Sequence, residues 1–452
     1  MFWAKRGIAR AVGALSRRRG GGGTSLPGKI LLRLDPRAIA HLAGGLRRGS
    51  VVISATNGKT TTAAMLASIL AEADVSVVHN TAGANMAGGI ASALLTAGSG
   101  RGVPVADLGL FEVDEFWLVA VADQLVPRAL LLANLFRDQL DRYGELETIA
   151  DRWAVVVAGY GGALVLNADD PLVADLGRDR ADTMYFGVQD DAMAMASMQH
   201  AADSKHCRRC GAPYVYDAIY LGHLGRYHCP TGDARRPDPQ VTARHIVVSG
   251  TRGAAFTLAG SDGEARIELP LPGLYNVYNA LAAAALTLRL GAPMDDVVAG
   301  LHAVEAAFGR AETVRIGRVD LAILLVKNPA GANEVLRTLT LEAGEHEVLG
   351  ILNDRTADGR DVSWVWDADF EVLAGRVRRI TCAGTRAEEL AVRMKYAGVP
   401  EDRIAVQPSL ERALEQAVDA ARGRLYALPT YTAMLELREL LARRGVAEGS
   451  FA

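Results

Sequence analysis

The sequence is poor in cysteine, in long apolar runs and in charge of one sign. Four cysteines in 452 residues are too few for a disulfide scaffold. No apolar run approaches the roughly 20 residues that a membrane-spanning helix needs, and the first residues lack a signal peptide's apolar segment and cleavage site. A formal net charge of -3 excludes the strongly basic surface typical of nucleic-acid binders. We therefore expect a cytoplasmic protein that binds small molecules or proteins and no nucleic acid.

The chain is too long for one ordinary core and predicts two or three domains. From Ser50, short apolar runs alternate with helical patterns, which predicts a central α/β domain over residues 50–309 with helices on both faces of a parallel sheet. Residues 193–240 interrupt this alternation and have almost no aliphatic core pattern, so we interpret them as a small insert. The alternation then restarts, which predicts a second α/β domain over residues 310–452.

The N-terminal segment, residues 1–49, begins with a stretch that mixes large apolar and basic side chains up to Arg19. Such a stretch is typical of a basic amphipathic helix lying on the anionic inner surface of the membrane. It is equally typical of a solvated helix packed on its own domain. Both interpretations remain open at this point.

Residues Ser54–Thr62 (SATNGKTTT) follow a predicted strand and open a predicted helix, the context that a phosphate-binding loop requires. Backbone N–H groups and the helix N-terminus would face the phosphates of ATP, Lys59 would reach the β- and γ-oxygens, and the Thr60 hydroxyl would ligate Mg²⁺. The alternative is a helix cap made by Thr56 or Asn57. The predicted nucleotide-binding residues of the loop are Thr56, Asn57, Gly58, Lys59, Thr60 and Thr61.

Polar side chains follow three successive predicted strands. Each group alone is more typical of a turn or a helix cap, but ligands of open α/β sheets bind at the carboxyl ends of the strands. Three groups at successive strand ends therefore favour one site, in which a carboxylate completes the Mg²⁺ shell. The groups are Glu112, Asp114 and Glu115; Asn134, Asp138 and Asp141; and Asn167, Asp169 and Asp170.

Three of the four cysteines cluster in the insert, with two residues between Cys207 and Cys210 and eighteen between Cys210 and Cys229. This spacing is typical of a zinc ribbon, but structural Zn²⁺ takes four ligands and Gly232 stands where the fourth cysteine would be. The open alternatives are a substitute ligand, a weak or empty site, and three reduced thiols in a loop. The candidate substitutes are His206, His223, His228 and Asp233. Cys382 is interpreted as a small core residue.

Four motifs together resemble the Mur ligase superfamily and, within it, the MurT family, the ligase subunits of lipid II isoglutaminyl synthases. They are Thr56–Thr61 (TNGKTT), His79–Asn85 (HNTAGAN), Asn276–Ala280 (NVYNA) and Phe308–Arg310 (FGR). The cysteine insert, Asp354–Asp369 and Thr430–Met434 point to MurT in particular, and the resemblance covers nearly the whole chain. It implies that Lys59 and Thr60 bind ATP phosphates and Mg²⁺, that Glu112 is a metal ligand and that Asn279 and Arg310 contact the nucleotide.

The chain departs from the classical Mur ligases at two places. It has Asp138-Gln139 where they carry Asp-His, and residues 152–157 contain no equivalent of their carbamylated lysine. Both departures argue against a second Mg²⁺ and against a classical amino-acid-adding ligase.

The resemblance also implies a partner. In the MurT family an aspartate of the region that follows the predicted strand Val348–Leu352 completes the Cys-His pair of the partner glutaminase, and Asp358 and Asp361 are the candidates here. A Gly-containing turn is the alternative. The implied function is ATP-dependent amidation of the D-glutamate α-carboxylate of lipid II, in a heterodimer with a GatD-like glutamine amidotransferase. The competing functions are an amino-acid-adding Mur or folylpolyglutamate-type ligase and a nucleotide-gated binding protein.

Overall fold

The computed structural model describes residues 2–18, 25–80, 84–98, 106–138, 146–200, 202–232, 234–304 and 312–446. The helices are α1 Phe2–Arg18, α2 Leu26–Leu34, α3 Ala38–Ala43, α4 Lys59–Glu72, α5 Ala87–Ala97, α6 Leu118–Leu125, α7 Leu146–Ala158, α8 Pro171–Asp175, α9 Leu274–Arg289, α10 Met294–His302, α11 Pro329–Thr340, α12 Ala387–Tyr396, α13 Leu410–Ala420 and α14 Tyr431–Arg443. The strands are β1 Ser50–Ser54, β2 Val77–His79, β3 Leu108–Glu112, β4 Ala129–Leu132, β5 Ala163–Asn167, β6 Met184–Val188, β7 Val215–Leu221, β8 Leu224–His228, β9 Val241–Val248, β10 Ala254–Gly260, β11 Gly263–Leu269, β12 Glu312–Ile316, β13 Val319–Ile323, β14 His346–Ile351, β15 Val377–Ala383, β16 Ile404–Val406 and β17 Arg424–Pro429.

The central part of the described chain contains a sheet in the order β11-β10-β9-β6-β5-β4-β1-β3-β2. The strands from β9 to β2 are parallel, and β10 and β11 extend the sheet antiparallel. Strands β1, β3 and β4 are buried along their whole length, because helices cover both faces. The chain leaves β1 toward β2 on one side and later returns to β4 on the other. Such a reversal is where open α/β sheets bind ligands.

The insert contributes to the main core although its sequence has almost no aliphatic core pattern. Strands β7 and β8 form an antiparallel hairpin that buries Tyr220, Leu221 and Leu224 in the same apolar cluster as the α4 side chains. The hairpin has few apolar residues, but they lie where it meets the central domain. A short strand pair can dock in this way without a continuous apolar run.

The C-terminal part contains a second sheet, in the order β12-β13-β17-β14-β15-β16. It is parallel except for β12, which pairs antiparallel with β13. The α/β fold class is confirmed. Lys327 and Asn328, in the segment before α11, hydrogen-bond to Thr56 and Asn57 of the loop that follows β1.

Helix α1 packs on its own domain. It contacts α2 and α5, Ala9 is fully buried, and the Arg10 guanidinium donates a hydrogen bond to the Leu95 carbonyl over 3.0 Å. Ile8 remains about half exposed. Within the ranges given above, no helix combines the length and apolarity needed to cross a membrane.

Candidate active site

The loop between β1 and α4 depends on glycine at position 58. Gly58 has φ +85°, in the left-handed region, and precedes the first residue of α4. A Cβ atom there would lie 2.0 Å from Oδ1 of Asn279 on α9. Both the backbone conformation and the close approach exclude a larger side chain. Thr56 and Asn57 make no helix cap, since the Thr56 hydroxyl instead accepts a hydrogen bond from Phe136 N.

The Lys59 ammonium lies over the loop and is paired with a buried carboxylate. Its Nζ donates to Glu115 Oε2 over 2.8 Å and also contacts the Ala55 carbonyl. Burial opposes ionisation of Glu115, but the positive charges of Lys59 and Lys327 outweigh it and hold the pKa of Glu115 below its usual value. The site therefore combines a fixed lysine with an ionised carboxylate.

Thr60 and Glu112 form a second pair beside the first. The Thr60 hydroxyl donates to Glu112 Oε2 over 2.9 Å, and His79 Nε2 lies 3.1 Å from Glu112 Oε1. The Asn80 side chain fixes the backbone of Glu112 through two hydrogen bonds of 2.8 and 2.9 Å. Hydroxyl and carboxylate oxygens are the ligands that Mg²⁺ prefers, so this pair fits a magnesium site.

The second predicted group also borders the loop. Asn134 exchanges two hydrogen bonds with the Asn57 backbone, of 2.9 and 3.0 Å. Asp138 accepts a hydrogen bond from Lys327 Nζ over 2.6 Å, and the same ammonium donates to the Thr56 carbonyl over 3.1 Å. Asp141 and Gln139 lie outside the described residues.

Lys327 and its neighbour Asn328 were missed in the sequence. Asn328 Nδ2 donates to Asn57 Oδ1 over 3.0 Å, and the Asn328 side chain also caps α11. Both residues follow β13, at the carboxyl edge of the second sheet. That position was the available signal, because polar residues after a parallel strand face the ligand edge.

Asp169 and Asp170 of the third predicted group bind residues of the scaffold and not of the loop. This corrects the expectation that all three groups form one site. Asp170 caps α8 by accepting from Leu172 N and Val173 N, and it also binds Leu135 N. Asp169 accepts from the Arg236 guanidinium and from the Tyr278 hydroxyl. Both carboxylates are fully buried and accept hydrogen bonds from these partners, so they stabilise the segment that follows β5.

A cavity of about 120 Å³ opens between the loop, α9, the hairpin and α11. Asn279 lies at its edge, where its Oδ1 accepts from the Thr62 hydroxyl over 3.3 Å and its Nδ2 donates to Asn276 over 3.0 Å. Thr61 also lines this cavity. Arg310, the other predicted nucleotide contact, lies outside the described residues.

The two candidate aspartates after β14 differ in exposure. Asp358 is buried and accepts from the Thr432 backbone N–H over 2.7 Å and from the Thr432 hydroxyl. Burial raises the pKa of Asp358 although these bonds oppose the shift. Asp361 is exposed, and hydrogen bonds from Ser363 lower its pKa. Both aspartates line one hollow with Asp138 and Lys327, on the same side of the protein as the phosphate loop.

The sulfur atoms of Cys207, Cys210 and Cys229 all lie within 4.8 Å of one another. Hydrogen bonds from the Thr231 hydroxyl and then from Ala212 N lower the pKa of the Cys210 thiol to about 7. The described histidines stay outside this cluster: His206 is exposed, His228 lies near Asp217, and His223 is buried 3.5 Å from Asp170. Asp233 lies outside the described residues.

Gly232 faces the cysteine cluster. A Cβ atom at that position would lie 3.5 Å from Cys229 Sγ with nothing else within 4 Å. Position 232 therefore lies beside the cysteine cluster, where glycine offers no side-chain ligand. Cys382 is fully buried in the other domain, as predicted, and burial raises the pKa of its thiol to about 12.

The phosphate loop at a sheet reversal, faced by a second α/β domain, defines a Mur ligase-type protein. Residues 53–228 match the Mur ligase middle domain family and residues 325–434 the MurT ligase C-terminal family. A pseudomurein peptide ligase type C from Methanothermus fervidus has the same fold, with a TM-score of 0.67 at 23% identity over 88% of this chain and 79% of that one.

The chain belongs to the MurT family. It is 34% identical to the lipid II isoglutaminyl synthase (glutamine-hydrolyzing) subunit MurT of Staphylococcus aureus strain N315, over 98% of both chains. It is also 34% identical to the subunit of that name from Streptococcus pneumoniae strain R6, over 94% of both chains.

Proposed function

We propose that this chain catalyses the ATP-dependent amidation of the D-glutamate α-carboxylate in the lipid II stem peptide, giving D-isoglutamine. The observation that carries the proposal is the double pairing of Lys59 with Glu115 and of Thr60 with Glu112 at the carboxyl edge of the central sheet. Membership of the MurT family supports this substrate over those of the amino-acid-adding ligases.

The reaction needs activation because a carboxylate is a poor electrophile. A carboxylate oxygen of the substrate attacks the γ-phosphorus of ATP, the bond to the β-phosphate oxygen breaks, and ADP leaves. Ammonia then attacks the acyl carbon of the resulting acyl phosphate, inorganic phosphate leaves, and the nitrogen loses a proton. Positioning and charge neutralisation account for most of the acceleration in such phosphoryl transfers.

Different residues of this chain bind the phosphates, position Lys59 and would hold Mg²⁺. Lys59 and the amide groups at the start of α4 hold the phosphates, while Glu115 fixes Lys59. Lys327 brings a second positive charge from the C-terminal domain to the same loop. Thr60 and Glu112 would hold Mg²⁺, which neutralises phosphate charge when bound.

Ammonia would come from a GatD-like glutamine amidotransferase subunit. Asp361 is the better candidate to orient the catalytic histidine of that partner, since its carboxylate is exposed while both oxygens of Asp358 are engaged by Thr432. A carboxylate in this role holds the imidazole in the productive tautomer and stabilises its charged form. Asp358 would then hold the loop against α14.

The cysteine cluster is proposed as a structural zinc site. Three thiols in one cluster suit Zn²⁺, and the turn that brings Cys207 and Cys210 together is formed by Gly211 N donating to the Cys207 carbonyl over 2.8 Å. The hairpin of the same insert contributes to the main core, so metal binding would stabilise that part of the fold.

The proposed function is tested by incubating lipid II with ATP, glutamine and the complex of this chain with its partner, followed by mass spectrometry. Replacement of one hydroxyl by an amino group is the expected result. A product extended by an amino acid would identify an amino-acid-adding ligase instead. Recovery of unchanged lipid II would favour a nucleotide-gated binding protein.

A further inference from the structure

Glu334 is a buried carboxyl group with an unused oxygen. The residue lies on α11, is 3% exposed, and its Oε1 has no hydrogen-bond partner. It lines the same cavity as Gly58 and Asn279. A buried polar atom without a partner costs free energy, and a functional role or a bound water, ion or ligand accounts for such atoms in native proteins.

The charged and titratable groups near Glu334 form hydrogen bonds with other residues. Arg337, on the same helix, donates to the carbonyls of Tyr220 and Met193 in the insert. Lys327 binds Asp138 and Thr56, and the Tyr278 hydroxyl of α9 binds Asp169. Tyr275 of α9 also lines the cavity. Among the described residues, no ion pair includes Glu334.

Burial raises the pKa of Glu334 to about 7, with the charge of Arg337 opposing the shift. The neutral acid is therefore well populated near neutral pH. A neutral carboxyl group offers one donor and one acceptor, whereas a carboxylate offers acceptors only.

On the edge of a purine that carries N7, that donor and acceptor pair matches adenine better than guanine. Adenine presents an amino group beside the acceptor N7, whereas guanine presents two acceptors, O6 and N7, on the same edge. A neutral carboxyl group can satisfy both positions of adenine. Against guanine, its acceptor oxygen would face a second acceptor.

We infer that Glu334 determines nucleotide specificity by hydrogen-bonding the amino group and N7 of adenine, so that this chain selects ATP over GTP. The inference rests on the proposed function, because it requires the cavity to receive the base of the nucleotide whose phosphates bind the loop. It assigns a role to a side chain that does not touch the reacting atoms.

The test is a set of ATP and GTP affinities measured by calorimetry on the complex with its partner, for wild type and for the variants Glu334→Gln and Glu334→Leu. The Gln side chain keeps a donor and an acceptor, so ATP affinity should be retained. The Leu side chain has neither, so ATP affinity should fall roughly tenfold or more while GTP affinity changes little. Glu347→Gln is the matched control, because Glu347 is also buried with a raised pKa but lies on β14, outside the cavity.

The pH dependence gives a readout that a merely structural role would not move. If the neutral acid binds adenine, wild-type ATP affinity is full below the pKa of Glu334 and falls roughly tenfold from about pH 6 to about pH 8. Glu334→Gln should remove that dependence. Purine riboside triphosphate, which lacks the amino group, should bind wild type more weakly than ATP does, but the Leu variant should bind the two alike.

Two failures are distinguishable. A wild-type complex that binds no ATP overturns the proposed function and this inference together. A wild-type complex that binds ATP, with a Leu variant that keeps its preference over GTP and over purine riboside triphosphate, overturns this inference alone. Thermal unfolding of each variant identifies any that fails to fold, and the near-isosteric Gln variant keeps the pH test available in that case.

Discussion

Lys59 Nζ lies 2.8 Å from Glu115 Oε2, and both side chains are about nine-tenths buried. Glu115 belongs to the segment after β3, two strands from the loop in sequence but next to β1 in the sheet. The pair therefore fixes the lysine from the neighbouring strand. A buried pair of this kind contributes little net stability, but it becomes costly when one partner is removed.

Replacing Lys59 with Ala should abolish ATP-dependent amidation, because the side chain that would bind the phosphate oxygens is gone. The complex with the partner should remain intact, because Lys59 contacts other residues of this chain. Amidation is measured by mass spectrometry of lipid II, and complex formation by co-purification.

The Lys59 variant also leaves Glu115 unpaired, so its stability needs a control. The double variant Lys59→Ala with Glu115→Gln should regain thermal stability without regaining activity. Lys395→Ala, at an exposed ion pair of the second domain, should affect neither property. Wild-type turnover in Lys59→Ala would exclude the assignment of this loop.

Two glycines with similar backbone conformations allow the effect of backbone strain to be distinguished from that of a steric clash. Gly49 and Gly58 both have positive φ, but a Cβ atom at Gly49 would meet nothing within 4 Å, whereas at Gly58 it would meet Asn279. Gly49→Ala should lower the free energy of unfolding by about 1 kcal/mol with ATP affinity unchanged. Gly58→Ala should cost more and should weaken ATP binding, because Asn279 must move. Denaturant unfolding and nucleotide titration measure the two effects, and equal behaviour of both variants would contradict this account.

If the cysteine cluster binds zinc, metal analysis should find about one Zn²⁺ per chain, and Cys207→Ser should lose the metal and unfold at a lower temperature. Cys382→Ser is the control, since that thiol is buried in the other domain and should leave the metal content unchanged.

Gly232→Cys should raise zinc affinity, because its Cβ would lie beside Cys229 Sγ in open space. Competition with a chelator measures this gain. A wild-type chain that is free of metal and equally stable after chelation would show instead that the ribbon folds without zinc.

Local sequence patterns predicted helices and strands well where the signal lies within a few neighbouring residues. The strand, loop and helix around Gly58 lie where the sequence indicated, since apolar runs and glycine act over a few residues. The same patterns could not separate Glu112 from Asp169, because both are acidic residues after a buried strand. Only the partners of Asp169, Arg236 and Tyr278, assign it to the scaffold.

The contacts between the domains were beyond the reach of local patterns. Lys327 is 271 residues from Thr56 in sequence, yet its ammonium donates to the Thr56 carbonyl. Glu334 belongs to an ordinary amphipathic helix and is buried at a cavity that residues of the insert and of α9 also line. The position of Lys327 after a strand indicates the ligand edge of its sheet, but a single sequence does not show which residues of the other domain contact Lys327 or Glu334.

The aspartates after β14 provide the last prediction, which separates a two-subunit amidotransferase from any single-chain enzyme. If Asp361 orients the histidine of the partner, Asp361→Asn should lower glutamine hydrolysis by about a thousandfold or more, because Asn keeps the volume and removes the charge. Asp358→Asn should instead loosen the loop, since Asp358 accepts two hydrogen bonds from Thr432.

Free ammonium distinguishes the possible roles of these aspartates. At high ammonium concentration and raised pH, Asp361→Asn should amidate lipid II again, because the ligase site is unchanged. If both variants keep glutamine-dependent activity, the segment is only a turn and no aspartate acts on the partner. If ammonium rescues neither variant, the carboxylates serve the nucleotide or the acyl phosphate, which their shared hollow with Asp138 and Lys327 would then explain.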